Sequence, residues 1–366
     1  MRKIALALVI AGGLSVGFGN ECMRVLYEEG NPNKALEVGA QMLKRNKNDF
    51  QTLWCTADAL IMIEKYDIAL EASKAMLAVA KKDYEKMIAY KKLGDVYLKL
   101  EQYDNATFHY LESFGLAEKL GDKKMYTASL AGIADVNAQI GKLESAIDIY
   151  KGLVNNTDDP RDKAILLLNL SNLYAKAEDL NSAIGSLKQA IELREKVGDL
   201  REAGEYTVYL AELYRRNKEY DLARRTVFEG LNKVKKEGAE RAELLAYKIA
   251  SHLFFETGNY KQSLEYAYKT IDYGEEIGYV YPDPLFFMSA IIQIKPELKE
   301  YLMELAKNRG ELLLIVEGLK DEAIVKELVA QAQQEQQKKT QQERTQAPRE
   351  ETQKQQEVKK KTKQRK

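Results

Sequence analysis

Side chains that carry chemistry are scarce in this sequence. Its 366 residues include two histidines, two cysteines and one tryptophan. His109 and His252 stand far apart, and no HExxH, paired CxxC or GxxxxGK(S/T) pattern occurs. Zinc-protease, zinc-ribbon and phosphate-loop chemistries therefore have no seat. An enzyme is not expected, nor is a metal or any cofactor. Two cysteines are too few for a disulfide-framed fold. Six prolines leave long helices uninterrupted. The uncharged stretch Ile4–Phe18, with Gly12, Gly13 and Gly17 inside it, would make a helix of only about 22 Å. That is short for a bilayer core of about 30 Å.

What is present describes a folded, helix-rich chain. Hydrophobic residues make up 45% and charged residues 31%, enough to bury a core and solvate its outside. The formal charge of zero hides a segregation of sign. Residues 331–366 carry eleven Lys/Arg against five Asp/Glu, whereas residues 4–330 carry 43 against 51. An acidic body argues against nucleic-acid binding by the folded part, because phosphate backbones need clustered positive charge.

Residues 1–19 have the form of an export signal. Arg2 and Lys3 precede the uncharged stretch, and Gly17-Phe18-Gly19 supplies small residues at a cleavage spacing. A cut after Gly19 is expected, which would place the chain in the periplasm or cell envelope. An uncleaved N-terminal anchor and a cytoplasmic chain are the alternatives.

The body repeats itself, and an internal period is the most informative feature a sequence can show. Ala35, Ala69, Ala106, Ala146, Ala183, Ala223 and Ser263 follow one another at intervals of 34, 37, 40, 37, 40 and 40 residues. Three residues before the last six stand Tyr66, Tyr103, Leu143, Leu180, Tyr220 and Tyr260; the first has Pro32 there. Six further back come Leu60, Tyr97, Asn137, Tyr174, Tyr214 and Phe254, each preceded at three residues by Ala57, Gly94, Ala134, Ser171, Ala211 or Ser251. Small residues let two antiparallel helices approach closely, and large ones fill the gap to the next pair. Seven helical hairpins are predicted. One hairpin cannot bury both apolar faces, so neighbours must stack.

On these residues the chain resembles the tetratricopeptide repeat family over about residues 20–275. The best unit is Leu93-Gly94-Asp95-Val96-Tyr97, then Tyr103, Ala106 and Tyr110. The resemblance implies an all-α, right-handed superhelical solenoid that binds other proteins or peptides in a concave groove. Most intervals exceed the usual repeat of about 34 residues, and the joints Lys119-Leu120-Gly121-Asp122 and Lys196-Val197-Gly198-Asp199 are similar to those of longer-repeat members.

The residue after the small one in each first helix is Asp58, Asp95, Asp135, Asn172, Glu212 or His252. In the family this place looks into the groove, so these six are the candidate partner-binding residues. The competing reading makes them ordinary helix-surface pairs, Asp95 with Lys99 and Glu212 with Arg216. Cys22 and Cys55 fall in the first helices of successive hairpins, which lie side by side in a stack. A disulfide and two buried thiols both fit. A disulfide there would contribute about 3–4 kcal/mol.

After residue 278 the pattern changes. Tyr279-Val280-Tyr281-Pro282-Asp283-Pro284 breaks the helix, and Phe286, Phe287, Leu298, Leu302 and Leu305 start new apolar faces. Residues 279–330 are expected to cap the array, with an aromatic docking patch at Tyr281 and Phe287 as the alternative. Residues 331–366 contain twelve Gln and almost nothing apolar, the composition of a disordered tail, with a start that could be helical. The six Lys/Arg of the last nine residues could hold an anionic membrane or cell-wall polymer. The expected function is a non-enzymatic scaffold or adaptor, with a cytoplasmic regulator binding a peptide or transcription factor as the alternative; oligomeric state is not legible.

Overall fold

A computed structural model describes residues 20–306, 309–338 and 341. The export-signal segment 1–19 and most of the tail lie outside them. The described residues are helices joined by turns, and they form two compact units that divide between Asp199 and Leu200.

The first unit holds five hairpins: α1 (Glu21–Tyr27) with α2 (Pro32–Arg45), α3 (Phe50–Met62) with α4 (Tyr66–Val79), α5 (Asp83–Lys99) with α6 (Tyr103–Leu120), α7 (Lys123–Gln139) with α8 (Leu143–Asn155), and α9 (Pro160–Lys176) with α10 (Leu180–Lys196). The second unit holds α11 (Leu200–Arg216) with α12 (Tyr220–Lys236), and α13 (Glu240–Glu256) with α14 (Tyr260–Glu276). It continues with α15 (Asp283–Ile294), α16 (Leu298–Leu305), α17 (Gly310–Gly318) and a helix over 323–338, here α18.

Every repeated position has a structural duty. Tyr66, Tyr103, Leu143, Leu180, Tyr220 and Tyr260 are the first residues of their helices. Pro32 departs from that pattern for a local reason: it opens α2, where a missing N–H costs nothing. The small residues Ala57, Ala134 and Ala211 on first helices, and Ala69, Ala106 and Ala223 on second ones, are fully buried. Ser251 and Ser263 meet inside one hairpin, each hydroxyl donating to the other's carbonyl at 3.1 and 2.8 Å. Gly94 and Gly132 flank the Tyr110 ring, which would lie 2.5 Å from a Cβ at either place.

The turn inside each hairpin is closed the same way from α3 onward. The N–H of Lys65, Gln102, Lys142, Asp179, Glu219 and Asn259 donates to the carbonyl of Leu60, Tyr97, Asn137, Tyr174, Tyr214 and Phe254 at 2.8–2.9 Å. This bond requires a left-handed residue between, supplied by Gly141 and Gly258 but elsewhere by Glu64, Glu101, Glu178 and Lys218 at φ 60–63°. The 37- and 40-residue intervals come from length: α5, α7 and α9 to α14 have 17 residues and α6 has 18, whereas α3, α4 and α8 have 13, 14 and 13.

The two outermost regions are finished differently. In the first unit Cys22 of α1 is bonded to Cys55 of α3, among Met23, Val25, Leu26, Ala35 and Ala59. Gly39 makes room, since a Cβ there would sit 3.3 Å from the Cys22 sulfur. In the second unit Met288, Ile291, Leu302, Val316 and Val325 cover Phe255, Tyr260 and Leu264. The α18 helix takes the first eight residues of the segment read as tail: Ala332 is buried, and Gln336 donates to the Tyr260 hydroxyl at 3.3 Å.

Candidate functional site

The six row residues follow the small residue of α3, α5, α7, α9, α11 and α13, and their surroundings differ from helix to helix. In the first unit, Asp58 is buried and accepts from Tyr27 of α1 and from Lys92 of α5, both in close contact. Asp95 accepts from Lys91 at 2.7 Å and from the Tyr110 hydroxyl at 2.9 Å, with Lys92 3.9 Å away. Burial opposes the Asp95 carboxylate, but the two ammonium groups outweigh it and hold its pKa below the ordinary carboxylate range. Burial likewise opposes the Lys92 charge, and Asp58 and Asp95 reverse the balance to raise its pKa. Asp135 accepts from Tyr150 at 2.8 Å. Burial pushes its carboxyl up to about 6. Asn172 is exposed.

Neither sequence reading describes this arrangement fully. Asp95 pairs with Lys91 and Lys92 on the near side of its helix, not with Lys99. A groove residue would be open, whereas Asp58 and Asp95 spend their oxygens on side chains of their own unit. The pairing partners Tyr110 and Tyr150 follow their aspartates by fifteen residues, across the hairpin turn.

In the second unit, Glu212 is bridged by Arg215 at 2.7 Å, not by Arg216, and Arg215 also contacts Glu256 of α13. His252 packs on Phe287, ring centroids 4.3 Å apart. Its Nε2 is buried without a hydrogen-bond partner. Burial, with Arg215 and Lys248 nearby, pushes its pKa down to about 3, so the ring is neutral. Lys248 joins Asp283 at 2.5 Å and sits 4.5 Å above the Tyr281 ring. The proposed aromatic patch thus fastens the turn before α15 onto α13.

Two models of the tetratricopeptide repeat match the sequence, over residues 89–120 and 168–232. The chain is a tetratricopeptide-repeat protein. A TPR repeat-containing protein of Methanocaldococcus jannaschii is 23% identical over 219 residues, covering 50% of this chain and 38% of that one. Among solved structures, a signal-transduction ATPase with a tetratricopeptide-repeat sensor from Pyrococcus horikoshii aligns with 86% of this chain and 48% of its own, at TM-score 0.64 and 17% identity. The apo form of RapI aligns with 79% and 99%, at TM-score 0.51 and 13% identity. The chain thus spans less than half the length of the first two. Both structural likenesses are of fold.

The tetratricopeptide fold supports binding of other proteins or peptides. Within it, sequence reasoning missed Lys91, Lys92, Tyr110, Tyr150 and Arg215. The Tyr four residues after Ala106 and Ala146 was the available signal, since a buried phenol needs an acceptor. Among the described residues no three His, Cys, Asp or Glu side chains gather as metal ligands, and no helix is long and apolar enough to cross a membrane.

Proposed function

We propose that this chain is an exported scaffold of the cell envelope that holds partner segments along its first helices. The observation that carries the scaffold reading is the seven-fold hairpin repetition, in which the residue after the small one changes type and charge from α3 to α13 while nearly all the positions that pack the helices together stay small or large and apolar. Such an array separates stability from recognition. Support for export comes from Arg2, Lys3 and the uncharged Ile4–Phe18 stretch, together with the Cys22–Cys55 bond, a linkage that persists in oxidising compartments. The basic residues after Val358 would add affinity for anionic lipid or cell-wall polymer.

The test is cross-linking in cells of the source organism, with the captured proteins and the mature N-terminal peptide read together by mass spectrometry. Envelope partners and a chain starting near Asn20 are expected. Cytoplasmic partners with Met1 retained would replace export by the regulator reading.

A further inference from the structure

The three aspartates of the first unit's row differ in what neutralises them. Lys91 and Lys92 stand four and three residues before Asp95 on the same helix, and Lys92 also reaches back to Asp58. At the same two places before Asp135 stand Ala131 and Gly132. Gly132 has no room for a side chain, because the Tyr110 ring lies against it. The place on the following first helix that gives Asp58 its lysine is filled, for Asp135, by Asn169, a neutral side chain beside the Tyr150 hydroxyl. Asp135 is left with one neutral donor, the Tyr150 hydroxyl at 2.8 Å. It is half-buried, and one turn further along α7 Gln139 is exposed.

A partly desolvated carboxylate with no cation is costly, and a contacting ammonium or guanidinium relieves the cost. We propose that Asp135 is the anchor of the partner-binding row and receives a lysine or arginine side chain from the partner segment. The inference rests on the scaffold reading above and names the chemistry that its first unit selects. Lys91 and Lys99 are within electrostatic reach of Asp135, and Asp95 counters them; Lys91 itself is committed to Asp95. A peptide cation would complete at Asp135 the pairing that Asp58 and Asp95 obtain within the chain.

The test uses the full chain and a display library of random peptides, selected in parallel on the unaltered protein and on Asp135→Asn, with circular dichroism checking that the variant folds. Lys or Arg should be enriched at one peptide position on the unaltered protein and lose that enrichment on the variant. A selected peptide should bind the variant about tenfold more weakly or worse. Peptides retained without a basic preference, or bound equally by the variant, overturn the Asp135 assignment and leave the scaffold reading standing. No peptides retained by either protein overturns both. Should the variant misfold, the 13C titration of the Asp135 carboxyl in the unaltered protein decides: it should move to lower pH when a selected peptide is added, and an unchanged curve rejects the proposal.

Discussion

The two units reach stability by different chemistry. The first buries polar groups in partnership: Asp58 with Lys92 and Tyr27, Asp95 with Lys91 and Tyr110, and Ser113 with Ser129 at 2.9 Å. It adds a covalent link between α1 and α3. The second keeps its paired carboxylates nearer the surface, Glu212 and Glu256 with Arg215 and Asp283 with Lys248, and gathers one large apolar cluster running from Phe255 to Ala332 under α15–α18. The short helix α1 buries Cys22, Met23, Val25 and Leu26 and is further held by a covalent bond, whereas a longer segment closes the other region mainly by apolar area. Hydrophobic burial is indifferent to pH and reductant. Paired charges and disulfides are not. The first unit should therefore be the condition-sensitive one.

The strongest way to break this contrast is Lys92→Met. It would leave Asp58 buried without its cation, at a cost of about 3–5 kcal/mol, and urea denaturation should show the first unit unfolding earlier while hydrogen exchange in α13–α15 stays slow. A uniform loss across both units would mean that they do not differ in this way. Next comes the disulfide. Replacing Cys22 and Cys55 by Ser should cost about 2–4 kcal/mol, seen as faster exchange in α1 and α2, and reductant should mimic the change. An exchange pattern identical in both forms would show that apolar packing alone secures α1.

Asp135→Asn should act in the opposite direction. Its carboxyl is raised to about 6, so the native state resists ionisation. The resulting penalty is absent below the unfolded value, grows as pH rises, and is complete above about 6. The neutral amide should thus raise stability at pH 7 by an amount on the order of 2 kcal/mol and give nothing at pH 3, by thermal melting at both values. Asp95, with a depressed pKa, should show the reverse sign: its contribution is present at neutral pH and lost as pH falls through the acid range. Smallest are the left-handed turn residues. Glu64→Gly, Glu101→Gly, Glu178→Gly and Lys218→Gly should each gain about 0.5–1 kcal/mol, in both units alike, which makes them an internal control.

Much of the fold was legible because it is written in residue size. The small residues at 34–40-residue intervals and the Tyr or Leu three places earlier locate every hairpin from α3 to α14, and the latter coincide with the first residues of their helices. The polar site was less legible. Asp95 and Tyr110 are separated by a turn, and Lys92 reaches Asp58 from another hairpin, so no local spacing rule joins them. Nor could spacing choose between bonded and free cysteines, which depends on how α1 lies against α3. The part of α18 over 331–338 was obscured by its glutamines: Ala332 and Gln336 reach the body, and composition averages over such isolated contacts.

The contact of Gln336 with Tyr260 also ties α18 back to the turn between α13 and α14. The closing helices therefore form a loop fastened at both ends to one helix: α15 follows α14 in the chain, and α18 returns to the residue that opens it. Local opening of α18 should uncover Phe255, Tyr260 and Leu264 without disturbing the hairpins before them, a clasp that can be undone separately from what it closes.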